Sequence, residues 1–289
     1  MLKKIVLGFV ALLIVLTLGT SIYWFMNGER LKKEYAAYCK SGAPVLMYHG
    51  IDVGVPQGWP KTLALSPKLF EEQLSYLKEQ GYSMVTVEEL AHRLEQGKSV
   101  DKYVALSFDD GYENNRTKAL PIMQKYGAKG SFFVVNCKLD KPNYMSELQI
   151  KEMIAAGMEL GSHTYSHNDL TLIPTTSLVW ETDTSRYWLK KKFDGYIVRT
   201  LAYPNGAYNK TIIDAAQKYG FYRALTGHIG LNTPESYKKA PMEMFRVTVA
   251  DDGKGIEGFK KRLEYAYLFG FLQTKGIDIN PIRDLFVKD

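Results

Sequence analysis

The sequence predicts an α/β fold of mostly parallel strands, closed into a barrel or laid out as a doubly wound open sheet, and preceded by one apolar helix. Three observations predict it: enough length and apolar content for a full core, an uncharged N-terminal run, and about seven alternations of strand and helix patterns. The 289 residues are 46% hydrophobic and 24% charged, which excludes a disordered tail, a collagen-like fibre or a small disulfide scaffold.

The net charge of +6 is unevenly placed. Residues 1–42 hold six Lys/Arg against two Asp/Glu, so +4 of it sits there and +2 is left for the other 247 residues. A basic excess beside an apolar segment belongs to a membrane flank and removes the composition-level argument for nucleic acid as a partner. After Lys3 and Lys4, Ile5 to Met26 form 22 consecutive uncharged positions, about 33 Å as a helix and enough to cover a bilayer core. The run is longer than the apolar region of a signal peptide, no convincing small-x-small site follows it, and Tyr23, Trp24 and Phe25 resemble an interfacial aromatic belt. Residues 1–26 are therefore expected to be an uncleaved, single-pass transmembrane anchor in the cell membrane. Residues 27–42 read as a polar stem, and 43–289 as one extracytoplasmic domain. Cys39 and Cys137 belong to no CxxC pair and are expected as separate thiols.

Within 43–289, apolar or β-branched runs place strands near 45–48, 82–87, 103–108, 130–135, 158–162, 198–203 and 222–226. The first helix has Ser66 as N-cap and Pro67 at its first position. Leu69, Phe70, Leu74 and Leu77 share one face, and Gly81 stops it. Further helical patterns cover 87–96, 115–126, 147–156, 175–192, 209–219 and 257–268. Trp59, Trp180 and Trp188 are expected in packing rather than in a binding role, and His92 on a helix surface.

Polar clusters fall where the expected strands end: Met47-Tyr48-His49-Gly50, Ser107-Phe108-Asp109-Asp110-Gly111, Gly161-Ser162-His163, Tyr203-Pro204-Asn205-Gly206 and Thr226-Gly227-His228. In an α/β barrel all these ends open on one face, so five distant pieces of sequence converge on one mouth. Adjacent Asp109 and Asp110 repel unless a cation or proton lies between them. His163 and His167, at i and i+4, present two imidazoles to one side if the backbone there is helical. Two histidines and one carboxylate leave open coordination positions, as a catalytic metal that activates water requires. A second carboxylate beside them then has a task as general base.

These motifs together resemble the polysaccharide deacetylases, the NodB-like carbohydrate esterases. Ser107-Phe108-Asp109-Asp110-Gly111 is similar to the family's first motif, and the resemblance implies that Asp109 is the base and Asp110 a metal ligand. His163-Thr164-Tyr165-Ser166-His167 is similar to the second and implies His163 and His167 as the other ligands. The likeness covers most of 43–226 and implies a distorted (β/α) barrel of about seven strands acting on N-acetylated sugars. Zinc suits imidazole and carboxylate donors, although cobalt, nickel or manganese fits them too.

Two departures narrow the branch. The family's third motif often reads Arg-x-Pro-Tyr-Gly, whereas Ala202-Tyr203-Pro204-Asn205-Gly206 has Ala in place of the Arg and Asn in place of the Tyr. The backbone N–H of Asn205 still suits an oxyanion hole, because that role does not use the side chain. Arg199 lies an odd number of residues from Ala202 and so faces the other side of the strand. Arg246 is a candidate for the missing cation. Many relatives also take an acid histidine from a late strand, and none follows His228 here. The opening Pro44-Val45-Leu46-Met47-Tyr48-His49 instead resembles the poly-β-1,6-N-acetylglucosamine deacetylases of biofilm, which implies His49 as the acid. The expected function is metal-dependent N-deacetylation of an extracellular N-acetylglucosamine polymer. Peptidoglycan or chitooligosaccharide is the alternative substrate, and a catalytically weak glycan-binding module the alternative of another class.

Overall fold

A computed structural model of the chain describes residues 28–52, 63–277 and 279. The expected membrane segment at residues 1–26, and Trp59, lie outside the described residues. Among those described, no helix is long and apolar enough to cross a membrane. The chain divides into two units, 1–40 and 41–289. The described part of the first belongs to helix α1 (residues 28–41), so the polar stem is helical. On its surface Arg30 pairs with Glu34 at 3.1 Å, an i,i+4 contact that supports an exposed helix.

The second unit alternates strands and helices as the periodicity predicts. Strand β1 (Val45–Tyr48) leads to α2 (Pro67–Glu79), β2 (Ser83–Val85), α3 (Val87–Glu95) and β3 (Tyr103–Phe108). There follow α4 (Leu120–Tyr126), β4 (Ser131–Val134), α5 (Glu147–Ala155), β5 (Glu159–Ser162), α6 (Ser185–Lys192), β6 (Thr200–Ala202), α7 (Lys210–Lys218) and β7 (Arg223–Leu225). The chain continues through α8 (Pro234–Lys239) and β8 (Val247–Thr248) to α9 (Gly255–Thr274). Helix starts follow side-chain chemistry: Ser66 Oγ accepts from Leu69 N at 3.1 Å, and Asn209 Oδ1 from Ile212 N at 3.0 Å.

All paired strands are parallel, in the order β7-β6-β5-β4-β3-β1-β8, with β2 on β3. Met244, shortly before β8, forms a parallel bridge with Leu225 of β7, while β8 pairs with β1 through Leu46 and Val247. The segment 244–248 thus joins the two ends of the sheet. That favours a distorted barrel over an open sheet, with every strand's C-terminal end facing one way. The α3 residues Val87, Leu90, Ala91 and Leu94 bury one helix face in a core shared with Val45, Ala105, Phe133 and Leu225.

Several elements depart from expectation. The helix expected over 115–126 opens as a π-turn, Asn115–Ala119. Pro121 has no N–H for the carbonyl of Thr117 and its ring crowds that carbonyl, so the helix widens ahead of it. The stretch 175–192 is helical throughout but changes type along its length, from a 3-10 turn (Thr175–Ser177) through a π-turn (Trp180–Thr184) to α6. Hydroxyls compete for its backbone: Thr182 Oγ1 donates to Leu178 O at 2.6 Å. The last helix runs from Gly255 to Thr274, well past 257–268, and α8 and β8 were not expected. A two-residue strand is too short for periodicity to reveal.

Candidate active site

The five polar clusters sit at the C-terminal ends of β1, β3, β5, β6 and β7, and the two after β3 and β5 assemble one group of ligand atoms from Asp110, His163 and His167. Asp109 N donates to Tyr48 O at 2.9 Å, which extends the β1–β3 ladder by one residue. The chain then turns through the left-handed region at Asp110 (φ 75°) and Gly111 (φ 76°). A Cβ at Gly111 would stand 3.0 Å from Val134 Cγ1, so glycine lets the turn press against β4. Of the eight non-glycine residues with positive φ among those described, four (Asp110, Thr164, His167 and Asn205) lie in these loops. Strained backbone persists only where surroundings over-determine it, and such positions concentrate at functional sites.

His163 and His167 do not share a helix face, because 163–167 is a loop with Thr164 and His167 in left-handed conformation. The loop brings the rings together instead, edge to face with centroids 4.7 Å apart. It is pinned by His163 N to Val134 O (2.8 Å), Cys137 N to Tyr165 O (2.9 Å) and His167 N to Thr164 Oγ1 (3.1 Å). His163 Nδ1 lies 2.8 Å from Ala202 O. A carbonyl only accepts, so Nδ1 carries the proton and Nε2 turns its lone pair into the site.

Single ligand atoms of Asp110, His163 and His167 all lie within 4.8 Å of one another. Asp110 Oδ1 is 3.7 Å from His163 Nε2 and 3.4 Å from His167 Nε2. These residues fit a divalent metal on two observations. Burial, and then the neighbouring Asp109 charge, push the Asp110 carboxyl up to about 8, and its Oδ2 is buried with no hydrogen bond of acceptable geometry. Burial also depresses both histidines, His163 to about 3, which keeps the imidazoles neutral as ligands must be.

Asp109 is different. Burial works against its charge, but Arg246 Nη1 donates to both its oxygens, at 2.9 and 2.7 Å, and the carboxyl stays below its usual range. Asp109 Oδ2 is 3.9 Å from His163 Nε2, beside the metal-ligand group. Arg246 Nε donates to Thr226 O at 2.7 Å, which fixes the guanidinium across the mouth. His49 follows β1. Its Nδ1 is buried without a hydrogen-bond partner, and burial lowers it to about 4 although the Asp109 charge opposes the shift. His228, by contrast, is exposed beside Tyr208, ring centroids 5.8 Å apart. Asn205 (φ 57°) sits on the turn Pro204–Gly206 after β6, its side chain exposed. That turn packs on the loop after β7 so closely that a Cβ at Gly206 would meet Gly227 N at 2.5 Å.

Comparison with known proteins agrees with this geometry. A sequence profile described as polysaccharide deacetylase matches residues 96–224, spanning both the Asp109-Asp110 and the His163/His167 loops. Residues 96–224 belong to a polysaccharide deacetylase domain. The chain is 32% identical over 191 residues to YxkH of Bacillus subtilis (strain 168), a candidate polysaccharide deacetylase, covering 65% of each chain. It is 28% identical over 179 residues to a poly-β-1,6-N-acetyl-D-glucosamine N-deacetylase of Staphylococcus aureus (strain MSSA476), covering 56% of this chain and 61% of that one. The chain thus matches just under two thirds of the length of these relatives. Among solved structures, Streptococcus pyogenes deacetylase PplD in complex with acetate superposes with a TM-score of 0.68 at 26% identity, over 76% of this chain and 98% of that one.

Arg246, the candidate for the missing cation, does pair with Asp109, and it stands outside the profile match. Its signal was present: one arginine in the apolar run Phe245-Arg246-Val247-Thr248-Val249 has to be buried, and a buried charge needs a partner. Arg199 pairs instead with Glu88 at 2.9 Å, as its strand parity required. Trp180 is 52% exposed and packs its edge on Tyr165, with ring centroids 4.9 Å apart, so it is not a core residue. Trp188 is half-buried under Lys192, His92 is exposed, and both Cys39 and Cys137 are free thiols.

Proposed function

We propose that this chain is a metal-dependent N-deacetylase of an extracellular N-acetylglucosamine polymer, poly-β-1,6-N-acetylglucosamine, held at the outer face of the cell membrane by residues 1–26. The observation that carries the reading is the buried Asp110, His163 and His167 group with an ionised carboxylate, Asp109, beside it. A divalent ion, zinc before cobalt, nickel or manganese, would supply Lewis acidity toward an acetamide carbonyl and lower the pKa of a water.

The chain's own groups do the rest. Asp109, kept charged and oriented by Arg246, takes the proton from the attacking water. The oxyanion that develops on the former carbonyl is met by the backbone N–H of Asn205. The C–N bond then breaks, and the amine leaves poorly without a proton, which His49 delivers. Burial keeps His49 neutral at rest, so the proton it delivers is the one released from water and held by Asp109, whose charge it feels. Acetate and a polymer with a free amine result. The exposed face of Trp180 offers a stacking surface for a neighbouring sugar.

The branch is supported by the Pro44-Val45-Leu46-Met47-Tyr48-His49 opening and by the likeness to the S. aureus enzyme. The test offers the full chain, with added zinc, β-1,6- and β-1,4-linked N-acetylglucosamine oligomers and counts acetate and free amines. Release from the β-1,6 oligomer is expected. Release only from the β-1,4 oligomer would move the enzyme to peptidoglycan or chitooligosaccharide, and glycan binding without release would leave a binding module.

A further inference from the structure

The loop that carries both histidines has backbone donors with no strand or helix to receive them, and one distant carboxylate receives two of them. Glu181 Oε2 accepts from Tyr165 N at 3.0 Å and Ser166 N at 2.9 Å. Its Oε1 accepts from Ser166 Oγ at 2.5 Å and Asn168 Nδ2 at 3.3 Å. The side chain is 3% exposed and stands in the π-turn Trp180–Thr184. The residue before it, Trp180, packs on the ring of Tyr165 from the same turn. Four donors from the consecutive residues Tyr165 and Ser166 and from nearby Asn168 therefore converge on one buried carboxylate, and His167 lies between Ser166 and Asn168 in sequence.

We propose that Glu181 is a positioning residue that presets the 163–167 loop for the metal, so that it sets the affinity of the site while touching neither metal nor substrate. This role of Glu181 presupposes the metal site proposed for Asp110, His163 and His167. His167 is held in left-handed conformation (φ 65°), which an unsupported loop would abandon. Its ring is also the least enclosed of the three ligands. Loss of the clamp therefore releases His167 before it disturbs His163, whose Nδ1 is anchored separately on Ala202. The buried negative charge adds a favourable field for a cation at the adjacent site. Outer partners of this kind are worth roughly 10- to 100-fold in metal affinity.

The test compares the full chain with its Glu181→Gln and Glu181→Ala variants in zinc titrations, followed by cobalt absorption spectra at saturation. The Gln variant keeps an acceptor for the two N–H groups and should fold like wild type, which metal-free melting checks. Expected are dissociation constants weakened by roughly 10-fold for Gln and roughly 100-fold for Ala, with an altered cobalt spectrum in both. A clamp that is merely structural would lower the metal-free melting temperature and leave affinity and spectrum unchanged. That result in the Gln variant overturns the assignment of Glu181 alone, whereas absence of zinc binding by wild type overturns the metal site with it.

Discussion

Both ends of the barrel bury a carboxylate, and the two are treated in opposite ways. At the N-terminal ends of the strands, Glu159 Oε2 accepts from Ser131 Oγ at 2.6 Å and Glu88 N at 2.8 Å, and its Oε1 from Thr200 Oγ1 at 2.6 Å. Arg223 reaches the same cluster through Thr200. At the mouth, Asp110 has a strained backbone, a like charge beside it and an oxygen without a satisfactory donor. A carboxylate surrounded by donors closes a structure; one surrounded by other acceptors keeps coordination capacity for something the chain does not contain. The floor therefore reads as stability and the mouth as chemistry, the division expected of an α/β barrel.

The sharpest way to break this comparison is to remove a mouth ligand. Asp110→Ala, His163→Ala and His167→Ala should each abolish zinc binding and acetate release, as metal analysis and turnover assays would register. Asp109→Asn should instead retain zinc and lose roughly 10²- to 10⁴-fold in kcat, because only the proposed base is gone. Full activity of the wild-type chain after exhaustive chelation would defeat the contrast altogether.

Next in size is His49. Replacing it by Ala should cost about 10²- to 10⁴-fold in kcat on the amide with zinc content unchanged, and an activated ester, whose leaving group needs no proton, should be partly spared. His228→Ala, at an exposed position, should change only KM and modestly. An exchange of these phenotypes would move the acid to the loop after β7.

Much of this division was legible in the sequence. Strand β3 was readable residue for residue, because an uninterrupted apolar run ended by Asp-Asp-Gly leaves little freedom in placing its end. Asp110, His163 and His167 were readable because ligands come as residue types at fixed spacing. The condition that 163–167 be helical is not met, since i,i+4 spacing says nothing about the left-handed backbone at Thr164 and His167. Strand β8 was missed, and Arg246 was readable only as a candidate, for a related reason: a two-residue strand and a single ion pair spanning 137 positions are tertiary facts. The floor around Glu159 left no motif, because hydroxyls and one glutamate at strand starts look like any polar boundary.

A moderate effect is expected at that floor. Glu159→Ala leaves Ser131, Thr200 and Glu88 N without their acceptor and should lower stability by about 2–3 kcal/mol in denaturant titrations, with zinc affinity retained. Loss of zinc binding at retained stability would mean that the two ends are not independent.

The smallest effect, and the finest test, is the pH dependence of the metal-free chain. Asp110 is raised to about 8 in the fold, while an unfolded aspartate titrates near ~3.9. Between those values the folded chain holds a proton that the unfolded chain has released, so stability falls as pH rises and levels off above about 8. His49 and His163, lowered to about 4 and about 3, act oppositely. The unfolded chain takes up protons that they refuse, which makes stability rise with pH until the unfolded histidine value of about 6.5 and then stop. The window from about pH 6.5 to 8 therefore separates Asp110 from the histidines; burial raises Glu159 as well, against the donors that hold it. Melting temperatures of the metal-free chain should decline across it, and Asp110→Asn should remove most of the decline while Glu159→Gln removes less. Saturating zinc should flatten the wild-type profile, since the cation compensates the charge that burial penalises. An equal slope in wild type and Asp110→Asn would show that the mouth carboxylate is as well satisfied as the floor one, and the contrast between the two ends would lose its physical basis.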